Sequence, residues 1–289
     1  MDQNLINLLI YEIKQKKQIN SLDNNFILQK ITDYFKTNGN LRKKLEIEYF
    51  KKYEKITKSK LFKQIVKDIR NIIGQIYGQF LTNEYLKKQN NLLLNKINFN
   101  DIIEINNLLK YHKSSRERIN FYNEVYTKIF DFYKPKKIVD LACGLNPLSY
   151  DLIKQKLNYF PEYFAIDLNK KDMDFLNLFF KQNNIIGFAK NYDLVELDFL
   201  EDENFKNSDI VFLFKALDSL EEIKKNISKD LLLKLPQKYI VVSFPTRSLK
   251  SNIKFNNTNK GWLRKLIEDN GWNYLTFEIE NEFFFMIKK

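Results

Sequence analysis

Residues 139–155 read VDLACGLNPLSYDLIKQ: an apolar run ending in an acid, a cluster of small residues, then Asn146-Pro147 and a helical pattern. The β-branched run from Lys137 to Leu141 predicts a strand, and Leu148 to Leu157 predicts the helix behind it. Strand, tight turn and helix in this order form the unit from which the ligand crevices of open α/β sheets are built. Gly144 lets the backbone approach a ligand closely, and the helix start after it offers free N–H groups. A dinucleotide-binding loop needs three glycines facing a pyrophosphate; only Gly144 is present, so the expected ligand carries no pyrophosphate.

Working outward, helical patterns alternate with short apolar runs. Strands are expected at Lys137–Leu141, Tyr163–Ile166, Asp193–Leu197, Asp209–Phe214, Ile240–Phe244, Tyr274–Ile279 and Glu282–Ile287. Helices are expected at Glu117–Asp131, Leu148–Leu157, Lys171–Lys181, Leu220–Lys234 and Lys260–Asp269. This alternation predicts an α/β fold with a mostly parallel seven-stranded sheet covered by helices on both faces. With only Glu280-Asn281 between them, the last two strands should form an antiparallel hairpin. Such a sheet is similar to the Rossmann-like domain of S-adenosylmethionine-dependent methyltransferases.

The front of the chain reads differently. From Leu5 to about Lys96 apolar residues recur at three and four, predicting about four amphipathic helices with breaks near Asn20, Thr37–Asn40 and Thr57. Gly74 and Gly78 either permit a close helix crossing or merely weaken a helix. A domain boundary is expected near residue 105, giving an all-helical domain 1–105 and an α/β domain 106–289. Net charge is +12, and residues 1–105 hold 19 basic against 11 acidic side chains, so the helical part is the more basic. That field suits a polyanion such as RNA, or an anionic membrane. The single cysteine, Cys143, and the single histidine, His112, exclude a disulfide framework, a zinc site of several thiolates and a His-rich metal site. No window holds 18 uninterrupted apolar residues and the start carries no cleavage signal, so a cytoplasmic protein without membrane spans is expected, as a monomer.

Ligands in open parallel sheets lie beyond the carboxyl ends of the strands. After the first strand come Asp140 and the Ala142–Pro147 loop. After the second comes Asp167, in YFAIDLN, where a carboxylate accepts both hydroxyls of a ribose unless it is only a solvated loop acid. After the third come Asp198 and Phe199, suited to the exocyclic amine and ring of an adenine. Ahead of the domain, YHKSSRERINFY brings His112, Arg116 and Arg118 together. An arginine fork there pairs with a ligand carboxylate, or Ser114 or Ser115 caps a helix and the arginines are solvated. After the fifth strand, SFPTRSLKSNIKFNNTNKGWLRK runs without a period. Its basic residues, including Arg247, Lys250, Lys254 and Lys260, give the same rim a phosphate-attracting edge. Trp262 or Phe255 stacks on a base or anchors this loop.

Taken together, HKSSRERINFY, IVDLACGLNPLSY, FAIDLN, LDFL, IVFLFKALDSLEE and VVSFPTRSL with KGW resemble the aminoglycoside-resistance methyltransferases of 16S ribosomal RNA, which methylate N7 of a guanine in the decoding-site helix. The resemblance covers about residues 108–289, and the CGLNP and SFPTRSL loops are its specific parts. It implies S-adenosyl-L-methionine as cofactor and the small ribosomal subunit as partner, gripped by the basic helical domain. Carried over by position, it implies that Arg118, or Arg116 beside it, holds the cofactor carboxylate. Ala142, Gly144 and Asn146 would hold the methionine portion, Asp167 and Leu168 the ribose, and Asp198 and Phe199 the adenine. Lys215 and Leu217 would line the inner wall, and Arg247 and Ser248 would meet the target nucleotide.

Two departures stand out. Asp218 interrupts the usual P-x-LE continuation, and Lys250-Ser251-Asn252-Ile253-Lys254 replaces a Gly-Gly-Arg-like run, which bears on the target more than on the cofactor. No Asn-Pro-Pro-Tyr or Asp-Pro-Pro-Tyr segment follows the fourth strand, which fits a ring nitrogen better than an exocyclic amine. The alternatives are a methyltransferase for another RNA or ring nitrogen such as adenine N1, and a non-catalytic RNA-binding protein keeping the fold.

Overall fold

Strand β1 (Lys137–Leu141) is the axis of the sheet, and every residue after Lys137 is buried. It pairs in parallel with β2 (Glu162–Asp167) on one side and β4 (Ile210–Phe214) on the other. The computed structural model describes residues 1–16, 19–76, 97–246 and 260–289. Among these, seven strands run in the order β3-β2-β1-β4-β5-β7-β6, with β3 at Gly187–Asn191, β5 at Tyr239–Pro245, β6 at Asn273–Ile279 and β7 at Glu282–Lys288. The chain winds outward from β1 to β3, then returns to β4, so the order reverses between β1 and β4; such a switch point opens a crevice at the carboxyl ends. β7 runs antiparallel to both β5 and β6, and Ile279 faces Glu282 across the closing hairpin.

Both faces of the sheet are covered, which is why β4 reads as the unbroken apolar run IVFLF and is buried throughout. Val139, Leu141, Val211, Leu213, Ile240 and Val242 belong to one core cluster with Leu231, Leu263 and Ile267 of helices Ile227–Lys234 and Gly261–Asp269. The alternate residues meet the opposite face, where Phe212 stacks 6.5 Å from Tyr126 of helix Tyr122–Phe130. Asp140 therefore points to the Tyr126 face.

The structure departs from the sequence expectations at three places. The third strand is Gly187–Asn191, whereas 193–197 forms a turn that ends with Leu197 in the left-handed region at φ 63°. The expected single helices 117–131 and 220–234 are each broken, the second by Asn226 at φ 65° between Leu217–Ile223 and Ile227–Lys234. The compact units are Met1–Leu81 and Thr82–Lys289, an earlier division than residue 105. The reason is local: Phe99 packs its ring 5.6 Å from Phe175 and 5.3 Å from Phe179, which ties the residues before 105 to the α/β unit.

In the first unit, helices Gln3–Lys14, Asn24–Thr37, Gly39–Lys51 and Lys60–Ile76 surround Leu5, Leu9, Ile13, Ile27, Leu45, Ile65 and Ile69, each fully buried. The four-residue spacing of Leu5, Leu9 and Ile13 puts them on one helical face. Asp2 and Asp23 cap the first two helices by accepting from backbone N–H groups. Arg70 closes the other end of the first helix by donating to the carbonyls of Ile13 and Glu12. No helix of the described residues is long and apolar enough to cross a membrane. Gly78 lies outside the described residues.

Candidate active site

Three residues at the switch point sit in the left-handed region: Ala142 (φ 53°) and Gly144 (φ 51°) after β1, and Lys215 (φ 56°) after β4. A non-glycine residue persists there only where its surroundings fix it, and such strain gathers at functional sites. Lys215 is fixed by its N–H, which donates to the carbonyl of Ser243 at 3.1 Å and to Ser243 Oγ at 3.0 Å. Gly144 is fixed from two sides. Its N–H donates to Asp167 Oδ2 at 2.9 Å, and a Cβ on it would lie 2.8 Å from His112 Nε2. A side chain here would be strained at this φ and would have to displace the His112 ring.

Asp167 thus joins the ends of β1 and β2. Its Oδ1 accepts from the N–H groups of Leu168 at 2.6 Å and Asn169 at 3.4 Å, so the carboxylate is turned inward rather than solvated. Burial raises its pKa, against the opposing pull of the three backbone donors. A carboxylate has about four acceptor positions. One on Oδ2 is left beyond these contacts, where a ribose hydroxyl can donate.

Behind the loop, Asp140 Oδ2 accepts from Asn146 Nδ2 at 2.7 Å and from Tyr163 OH at 2.7 Å. Burial pushes its pKa up to about 6 although both donors and Arg118 pull it down. Burial, with the charges of Arg118, Lys113 and Lys215, lowers His112 to about 4, so its imidazole is neutral at pH 7. Cys143 is 5 % exposed, and burial next to Asp140 and Asp167 pushes its thiol well up. It is a protonated packing group, not a nucleophile.

Arg118 and Lys215 are held in one buried ion cluster. Arg118 donates from Nε at 3.1 Å and from Nη2 at 2.8 Å to the two oxygens of Glu282, and from Nη1 to Asn146 Oδ1 at 3.2 Å. Lys215 Nζ lies 2.6 Å from Glu117 Oε2 and 3.4 Å from Glu282 Oε2. Ser243 Oγ also donates to Glu282. Burial alone would raise the pKa of Glu282, but the guanidinium and ammonium outweigh it and hold it below the usual carboxylate range. Glu282, Glu117 and Ser243 were missed in the sequence. The one visible signal was an acid directly before the apolar run FFFMI of β7.

The remaining sequence-predicted residues separate into groups. Arg116 is on the exposed side of the short helix Lys113–Arg118, whereas Arg118 is on its buried side. Asp198 is exposed on the turn Asp198–Glu201. Phe199 is 1 % exposed and packs 6.4 Å from Tyr192 and 6.2 Å from Phe205. Its ring anchors this turn in the core instead of offering a free face to an adenine. Leu217 is likewise fully buried in the core cluster, so it backs the wall and does not line it. Arg247 and Ser248, with Lys250, Lys254 and Phe255, lie outside the described residues.

Comparison with known proteins identifies the family. The family model described as ribosomal RNA methyltransferase (FmrO) matches residues 102–287. A protein of Frankia casuarinae named 16S rRNA (guanine(1405)-N(7))-methyltransferase is 28% identical over 187 residues, 64% of each chain. A Micromonospora rosea protein of the same name is 30% identical over 184 residues, 63% of this chain and 64% of the relative. The chain thus spans just under two thirds of these relatives' length. The solved 16S rRNA methyltransferase RmtF, in complex with S-adenosyl-L-homocysteine, superposes with a TM-score of 0.72 at 21% identity, covering 100% of this chain and 99% of RmtF; at that identity it shows the fold. The 16S rRNA methylase ArmA is 26% identical with a TM-score of 0.51, over 67% of this chain and 99% of ArmA. The chain belongs to the FmrO family of ribosomal RNA methyltransferases.

Proposed function

We propose that the crevice above β1, β2 and β4 binds S-adenosyl-L-methionine and that the protein transfers its methyl group to N7 of a guanine in small-subunit ribosomal RNA, in the decoding-site helix. The observation that carries this reading is the Asp167–Gly144 hydrogen bond, which turns a carboxylate with one open acceptor position toward the strained loop at the switch point. The relatives' name, 16S rRNA (guanine(1405)-N(7))-methyltransferase, supports the reaction and substrate. The S-adenosyl-L-homocysteine in RmtF, the demethylated form of the cofactor, supports the ligand.

The residues present suit that ligand. Asp167 can accept a ribose hydroxyl, with Leu168 beside it, and exposed Asp198 can accept from the adenine amine. The loop of Ala142, Gly144 and Asn146 would border the methionine portion. Arg118 is assigned to the cofactor carboxylate on the family resemblance; three of its five N–H donors are committed to Glu282 and Asn146, next to the ammonium of Lys215. Arg116 is the exposed second candidate.

Bound S-adenosyl-L-methionine supplies an electrophilic methyl group on its sulfonium. Guanine N7 offers a lone pair and carries no proton to lose, so no general base is required of the protein. The protein's share is alignment and exclusion of water, which can lower a barrier by about 7–11 kcal/mol. Arg247 and Ser248 are assigned to the target nucleotide on the family resemblance. The basic helical unit is assigned to the subunit.

Titration calorimetry tests the cofactor half of the reading. The protein should bind S-adenosyl-L-methionine and not NAD, and Asp167→Ala should weaken binding by about thirtyfold, the equivalent of about 2 kcal/mol, without unfolding. Tighter binding of NAD would refute it, and equal affinity in the folded variant would remove Asp167 from the site.

A further inference from the structure

A groove of about 620 Å³ lies wholly within Met1–Leu81, between helix Gln3–Lys14 and the turn Tyr53–Lys58. Its walls include Tyr11 and Tyr53, which are 62% and 58% exposed. Tyr53 is braced by the buried ring of Tyr49 at 5.0 Å, so its position is set before anything binds. Asn4, Asn7 and Tyr11 are spaced to share one helical face, and Glu54 and Thr57 come from the opposite wall. Gln3 Nε2 donates to Asn7 Oδ1 at 3.2 Å, orienting that amide.

Exposed aromatic rings beside amide, hydroxyl and carboxylate groups are the chemistry that receives an unstacked base: the rings take its π-face and the polar groups its edge. Charge decides the class of partner. Met1–Leu81 holds 16 basic and 8 acidic residues, and Lys51, Lys55 and Lys58, all exposed, flank Tyr53 along the chain. We propose that this groove holds an unpaired nucleobase of the RNA, stacked on Tyr11 and Tyr53, with the adjoining phosphates on these lysines. The proposal rests on the ribosomal RNA reading above and adds to it a base contact on the helical unit.

The test uses the full chain and purified small ribosomal subunits. Tyr11→Ala and Tyr53→Ala should each weaken subunit binding by about tenfold, while Tyr11→Phe and Tyr53→Phe, which keep the ring, should bind within about twofold of the parent. Ultraviolet cross-linking of the complex should join this groove to a nucleotide. Helical circular dichroism and the denaturant unfolding of each variant, matched to the parent, report that the helical unit is folded. Wild-type affinity in both alanine variants, equal loss in the phenylalanine variants, or a cross-link to a ribosomal protein would overturn the groove assignment and leave the methyltransferase reading standing. Failure of the parent protein itself to bind subunits would overturn both.

Discussion

Asp140 shows how much of the site is decided by single buried groups. Its carboxyl is raised from 3.8 to about 6 by burial, so the folded protein holds a proton that the unfolded chain has released between these values. Folding therefore gains from this group at low pH, and the gain is lost as pH rises from about 4 through about 6; above that the buried anion costs up to about 3 kcal/mol. Asp140→Asn removes the titration and keeps an oxygen acceptor for Tyr163. Urea unfolding at several pH values should show that the variant gains stability relative to the parent between pH 4 and pH 7. A parallel pair of pH profiles would contradict this origin of the shift. Residues such as Asp140, Gly144 and Asp167 were legible because motif chemistry is local. Glu282 was not, because its partners Arg118 and Lys215 are 164 and 67 positions away in sequence and only the sheet order brings them together.

At the scale of elements, six of the seven strands were readable from apolar alternation and turn residues. β3 was misread because GFAKN carries a glycine and a lysine on a half-exposed edge, whereas DLVEL is the more apolar and β-branched run yet folds as a turn. The pairing of β3 with β2 explains the choice. Tyr163 stands opposite Gly187, whose φ is 146°, and a Cβ there would come 1.9 Å from the Tyr163 carbonyl oxygen. Only glycine lets these backbones meet. Gly187→Ala should destabilise the protein by at least about 2 kcal/mol, through backbone displacement and strain, as read by denaturant unfolding. Unchanged stability would mean that the β2–β3 register is not the one described. The broken helices were also hidden, since periodicity carries across 117–131 and 220–234, and the break at Asn226 depends on a backbone conformation that asparagine tolerates without announcing it.

For the whole molecule, the basic excess and the candidate site are divided along the chain: the excess is concentrated in Met1–Leu81, and the strained crevice is in Thr82–Lys289. Lysine contacts to phosphate release counterions, so affinity for small subunits should fall steeply between 50 and 200 mM salt, by roughly a thousandfold for about six contacts. A nearly flat salt dependence would detach the charge from RNA binding. The central claim, methylation of guanine N7 in small-subunit RNA, is tested most directly by incubating the protein with purified small subunits and labelled S-adenosyl-L-methionine and mapping the modified base by cleavage at 7-methylguanine. The account predicts one labelled guanine, methylated at N7, in the decoding-site helix; label on an adenine, on an exocyclic amine, or on no RNA at all would contradict it.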